Sequence, residues 1–184
     1  TERNICALLC YIRDAIFNAH MDSNIQRRFQ HYLHSIGTTN IALEILLIPG
    51  ISASSGGIFS LADAKMNALE LIQLLVNKNN TIKNFVESRF DAIILTIQKC
   101  TNVWFDDHET NSAIISLLQN ILLWNPNLAN QVPEFLLHIF ANFIEFWGVG
   151  EGPHQRDTLI LIHIYLALVG YSATPSVKIQ STIC

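Results

Sequence analysis

Residues 111–147 read NSAIISLLQNILLWNPNLANQVPEFLLHIFANFIEFW, and this stretch decides the fold. An apolar segment long enough for four turns of helix runs into the polar corner Trp124-Asn125-Pro126-Asn127. A short turn follows, and Pro133 then opens a second apolar segment, at a first-turn position where its missing N–H costs nothing. Shifted back by 46 positions, the stretch falls on itself: Leu71 on Leu117, Gln73 on Gln119, Asn79 on Asn125, Asn84 on Asn130, Val86 on Val132 and Ile93 on Ile139. Self-similarity at such a period, with helix pairs in each copy, marks units that bury their apolar faces by stacking on neighbours. The chain reads as all-α, and Val86, Val132, Ile93 and Ile139 are expected to be equivalent core positions.

Working outward, the same grammar recurs. Apolar residues at positions 5, 8, 9, 12 and 16 mark one face of a helix over Ile5–Phe17. Asp22, Ser23 or Asn24 can cap a second helix carrying Arg27, Arg28, Phe29, Tyr32 and Leu33, which ends at Gly37 in a left-handed cap. A third helix is expected over Ile41–Ile48 with Thr39 or Asn40 as its start, closed by Pro49-Gly50. Residues 49–59, with ISASSGG inside them, read as a flexible loop between repeats. Ser60 and Asp63 open a helix reaching Val76, Asn77–Asn80 form a corner, and Thr81–Val86 make a short helix. Ser88 caps the next, which runs to about Cys100. Asp106, Asp107 and Glu109 sit at a helix start, where the macrodipole favours them. Glycines at 148, 150 and 152 break the chain before a last helix, about Asp157–Val169. The whole is expected to be one segment, 1–184, with approximate repeats over 5–50, 60–101 and 107–148 and a partial one over 157–170.

Composition narrows the setting. Hydrophobic residues make up 50% of the chain and charged ones only 14%, with mean hydropathy +0.30. An ordinary soluble domain carries about a quarter charged residues. The longest apolar run near the C-terminus, Leu159–Val169, is interrupted by His163 and falls short of the roughly 20 residues needed to cross hydrocarbon. No transmembrane segment is therefore expected; the apolar surplus points to a piece of a larger chain or assembly. The missing initial Met and the absence of a basic n-region fit such an internal fragment. The net charge of −4 argues against a nucleic-acid partner. Four cysteines without framework spacing suggest reduced thiols and a cytoplasmic location.

Chemistry-bearing motifs are sparse. Cys6 and Cys10 share a helical face, as do His31 and His34, but nothing forces the two pairs to converge, and buried thiols with half-exposed imidazoles account for them better than zinc. His138 and His163 lie inside apolar helices with no carboxylate nearby in sequence. The acidic run 106–109 lacks the alternating oxygens and glycine of a calcium loop. No phosphate-binding glycine loop, nucleophile elbow or HExxH is present. Asn79-Asn80-Thr81 is formally a glycosylation sequon. The expectation is a protein that is not an enzyme and carries no cofactor or metal. Interaction surface is assigned to Trp104, Asn142, Trp147, Ile162 and Leu166: aromatic anchors, a polar side chain on the third helix of its unit, and the last helix, which lacks a polar face. Its partners would be proteins or further repeats of the same chain, with self-association of the isolated segment as the consequence.

The rhythm of helix, corner, short helix and helix over Leu61–Trp147, followed loosely by the first fifty residues, resembles an armadillo or HEAT-type repeat. This resemblance implies a right-handed α-solenoid and a scaffold or protein–protein interaction module. Peptide-binding members carry Trp-x3-Asn on the third helix; here Asn142 follows His138, and the position 46 residues before Asn142 is Thr96, so that ladder is missing. A second resemblance, through QRRFQHYLHSIGTTNIALEILLIP (Gln26–Pro49) and ALELIQLLVNKNNTIKNFV (Ala68–Val86), is to the helical homology domain of ryanodine and inositol-trisphosphate receptors. It implies instead a cytosolic regulatory segment of an intracellular calcium-release channel.

Overall fold

The computed structural model describes residues 7–8, 10–14, 23–49, 61–100, 108–147, 160–162 and 164–165, with the backbone alone at 108–111 and 146–147. Every regular element among the described residues is helical, and no strand occurs there. Two compact units divide the chain, Thr1–Ile114 and Ile115–Cys184.

In the first unit α1 spans Ser23–Ser35, α2 Thr38–Leu46, α3 Leu61–Val76, α4 Asn80–Glu87 and α5 Phe90–Cys100. Residues 10–14 are also helical. The connection between α1 and α2 is only Ile36-Gly37. Gly37 adopts φ +87°, a conformation that would strain any side chain, and its N–H donates to the His34 carbonyl at 3.0 Å. The same glycine is the N-cap of α2, whose first turn closes through the Ile41 amide on the Gly37 carbonyl at 3.0 Å. The helix therefore starts at Thr38 rather than Ile41, and it ends at Leu46. Thr39, expected at the helix start, is a buried helical residue, as is Thr38.

α2 packs on both α1 and α3, and α3 on α4. Ala42, Leu43, Ile45 and Leu46 of α2 are buried, as are Ala68, Leu69, Leu71, Ile72 and Leu75 of α3. The apolar spacing along each helix is what makes this face continuous. Ile82 and Val86 of α4 and Phe90, Ile93, Ile94 and Ile97 of α5 also belong to the core of this unit. Each fully buried Leu or Ile contributes about 1.5–3 kcal/mol relative to exposure.

Between α3 and α4 the backbone turns at Lys78, φ +56°, and the Asn79 carboxamide caps α4 by accepting from the Ile82 amide at 3.4 Å. The short helix covers Asn80–Glu87, slightly wider than Thr81–Val86. Ser88 does not cap the following helix. It closes α4, and its hydroxyl donates back to the Phe85 carbonyl at 2.6 Å.

α6 spans His108–Trp124, crossing from the first unit into the second; a 3-10 helix over Pro126–Gln131 and α7 over Glu134–Trp147 follow it. Several positions 46 residues apart are buried together. Ala68 and Ile114, Leu69 and Ile115, Leu71 and Leu117, Ile72 and Leu118, and Leu75 and Ile121 are all buried, and so are Phe90 and Leu136, Ile94 and Phe140, and Ile97 and Phe143. The corner asparagines share a backbone conformation: φ −126°, ψ 90° at Asn79 and φ −141°, ψ 84° at Asn125.

Val132 and Ile139 depart from the expectation of full burial. Both are half-buried, whereas Val86 and Ile93 are fully enclosed. Pro133 supplies the reason for Val132: a residue before proline is pushed out of the α region, and Val132 sits at φ −72°, ψ 123°. The segment that is α-helical in the first copy is a 3-10 turn in the second, opened by Pro126 and ended by Val132. α7 buries a narrower stripe, Leu136, Phe140 and Phe143, which leaves Ile139 at its edge. Of the last helix, 160–162 and 164–165 are described; Ile160, Leu161 and Ile164 are buried and Ile162 and Tyr165 half-buried. The loop expected over 49–59 lies, beyond Pro49, outside the described residues.

Candidate functional site

Three polar constellations stand out in the first unit. The most enclosed centres on Gln30, which is 1% exposed on α1. Its Nε2 donates to the Leu74 carbonyl at 2.8 Å and the Asn77 carbonyl at 3.1 Å, while its Oε1 accepts from Asn79 Nδ2 at 3.4 Å. The last carbonyls of a helix have no partner within it, and α1 supplies one for the end of α3. Beside it, Arg27 Nη2 donates to the Lys78 carbonyl at 3.2 Å. The corner that repeats in sequence is thus held by a side chain from a different helix.

The second constellation joins residues 10–14 to α3. Arg13 donates Nε to Asp14 Oδ1, and Nη1 to both Asn67 Oδ1 and Glu70 Oε2, each at 2.9 Å. Its hydrogen bonds to Asp14, then to Glu70, hold the guanidinium above its ordinary pKa. Asn67 Oδ1 also accepts from Cys10 Sγ at 3.3 Å, and Asn67 Nδ2 donates to the Asp63 carbonyl at 2.9 Å. A shallow groove of about 520 Å³ lies alongside, lined by Arg13, Asp14, Glu70, Gln73, Leu74 and Asn77. Its size suits a ligand, but its one cation and two carboxylates already bind each other.

In the third, His34 Nδ1 lies 3.1 Å from Thr39 Oγ1, and its ring meets Phe85 edge-on with centroids 4.9 Å apart. Arg89 stacks over the same Phe85 ring at 5.4 Å and donates to Asn40 Oδ1 at 3.2 Å. Asn40 in turn donates to Glu44 Oε1 at 2.7 Å. All three arrangements tie helices together; the hydroxyl that meets an imidazole, Thr39 Oγ1 at His34 Nδ1, belongs to a residue with no exposed surface. Among the described residues no three His, Cys, Asp or Glu side chains gather as metal ligands. Cys10 is engaged with Asn67 and His34 with Thr39 and Phe85, while Cys6 lies outside the described residues. The sequon asparagine, Asn79, is buried and bonded to Gln30 and Ile82, so a glycan cannot sit there in this fold.

Of the assigned interaction residues, Asn142 is exposed on α7 and Ile162 is half-buried. The side chains of Trp104, Trp147 and Leu166 lie outside the described residues. Thr96, at the position matching Asn142, is buried and donates to the Ala92 carbonyl of its own helix at 2.9 Å, so no ladder of outward side chains links the two copies. Large apolar side chains are exposed elsewhere: Ile25, Tyr32 and Ile36 on and just after α1, and Ile41 and Ile48 on and just after α2. Sequence reasoning assigned no surface role to these five. The signal was present as apolar residues beyond the width of one helical stripe, but which of them face outward depends on how α1 and α2 pack.

Among the described residues no helix is long and apolar enough to cross a membrane. Comparison with family models, with curated proteins and with solved structures finds no match to this chain.

Proposed function

We propose that the chain is a non-enzymatic helical-repeat scaffold, a protein–protein interaction module of a larger chain or assembly, built as a right-handed α-solenoid of the armadillo or HEAT kind. The observation that carries this reading is the 46-residue recurrence of helix, asparagine corner, short helix and helix, with buried positions and corner dihedrals in common. Units of this sort bury their faces on neighbours and use the remaining surface for partners. The polar groups brought together bond main-chain carbonyls or one another, which suits a rigid support rather than a reaction centre. The free thiols of Cys10 and Cys100 fit a cytoplasmic setting.

Exposed apolar residues on α1 and α2 add support, since apolar side chains left in water are available for a partner. Sedimentation velocity at micromolar concentration tests the reading. The wild-type chain is expected to self-associate, and Tyr32→Glu with Ile36→Glu to shift it toward monomer without loss of helical circular dichroism. A wild-type chain that sediments as a clean monomer, indistinguishable from the double variant, overturns the interaction role of this surface.

A further inference from the structure

We draw no further inference here: the strongest candidate, the exposed apolar face formed by Ile25, Tyr32 and Ile36 at α1 with Ile41 and Ile48 at α2, carries nothing beyond the reading above because nothing in the structure shows what covers it.

Discussion

Replacing Gln30 by Leu isolates the contribution of the corner clamp. The side chains have similar volume, so packing is nearly preserved while three hydrogen bonds vanish. Two main-chain carbonyls, Leu74 and Asn77, lose their donor, and Asn79 Nδ2 loses an acceptor. A buried polar group left without a partner costs about 1–3 kcal/mol. The carbonyl sites are only partly buried, so about 1 kcal/mol each is appropriate, and the 3.4 Å bond from Asn79 adds a smaller amount. The extra apolar surface of Leu offsets some of this. The expected net loss is about 2 kcal/mol, a substantial fraction of a typical 5–15 kcal/mol stability. Urea denaturation followed by circular dichroism reads it as a lower midpoint at unchanged slope. Because the chain has two compact units and its unfolding need not be two-state, amide exchange at Ile82 and Lys83 gives a local check. Both should exchange faster, since the Ile82 amide donates to the Asn79 side chain and the Lys83 amide to its carbonyl. Gln30→Glu should cost more at neutral pH, because it aims a carboxylate at two carbonyl oxygens. That extra penalty exists above the folded pKa of the new carboxyl and fades as pH falls through it. A Gln30→Leu variant within about 0.5 kcal/mol of wild type, the range of a neutral surface change, with unaltered exchange at the corner, would refute the clamp.

Gly37→Ala should lower stability by about 1–2 kcal/mol through backbone strain alone, since φ is +87° and a Cβ there meets nothing within 4 Å; a calorimetric midpoint equal to wild type would contradict this. Arg13→Ala should cost less than about 1 kcal/mol, because Asp14 and Glu70 are about half exposed and water screens the pairs. Since the guanidinium pKa is raised in the fold, that contribution is present at neutral pH and is lost as pH rises into strongly alkaline solution. Denaturation in low and high salt checks it, and a difference insensitive to salt would point to packing instead. Ile93→Ala should cost about 2–5 kcal/mol and Ile139→Ala clearly less, as the first is fully enclosed and the second half-buried. Equal losses in chemical denaturation would restore the strict equivalence that the sequence suggests.

The sequence alone determined the helical class, the places of several helices and corners, and the burial of Val86 and Ile93. These rest on local rules: a 3.6-residue apolar period, glycine as a left-handed stop, and asparagine as a cap. The Gly37 turn and the Asn77–Asn80 corner were legible for that reason, as was the match of Leu71 with Leu117. Tertiary structure decided what periodicity cannot carry. Gln30 looks like an ordinary polar helical residue in sequence, yet it is buried because the end of α3, more than forty residues away, presents open carbonyls to it. Val132 matches Val86 in register but not in burial, because Pro133 sets its backbone before any packing is considered. Ile25, Tyr32, Ile36, Ile41 and Ile48 are apolar like their buried neighbours, yet they stay exposed because they lie off the faces that pack on other helices. A pattern along the chain fixes which residues share a helix face; which face finds a partner depends on residues far away in sequence.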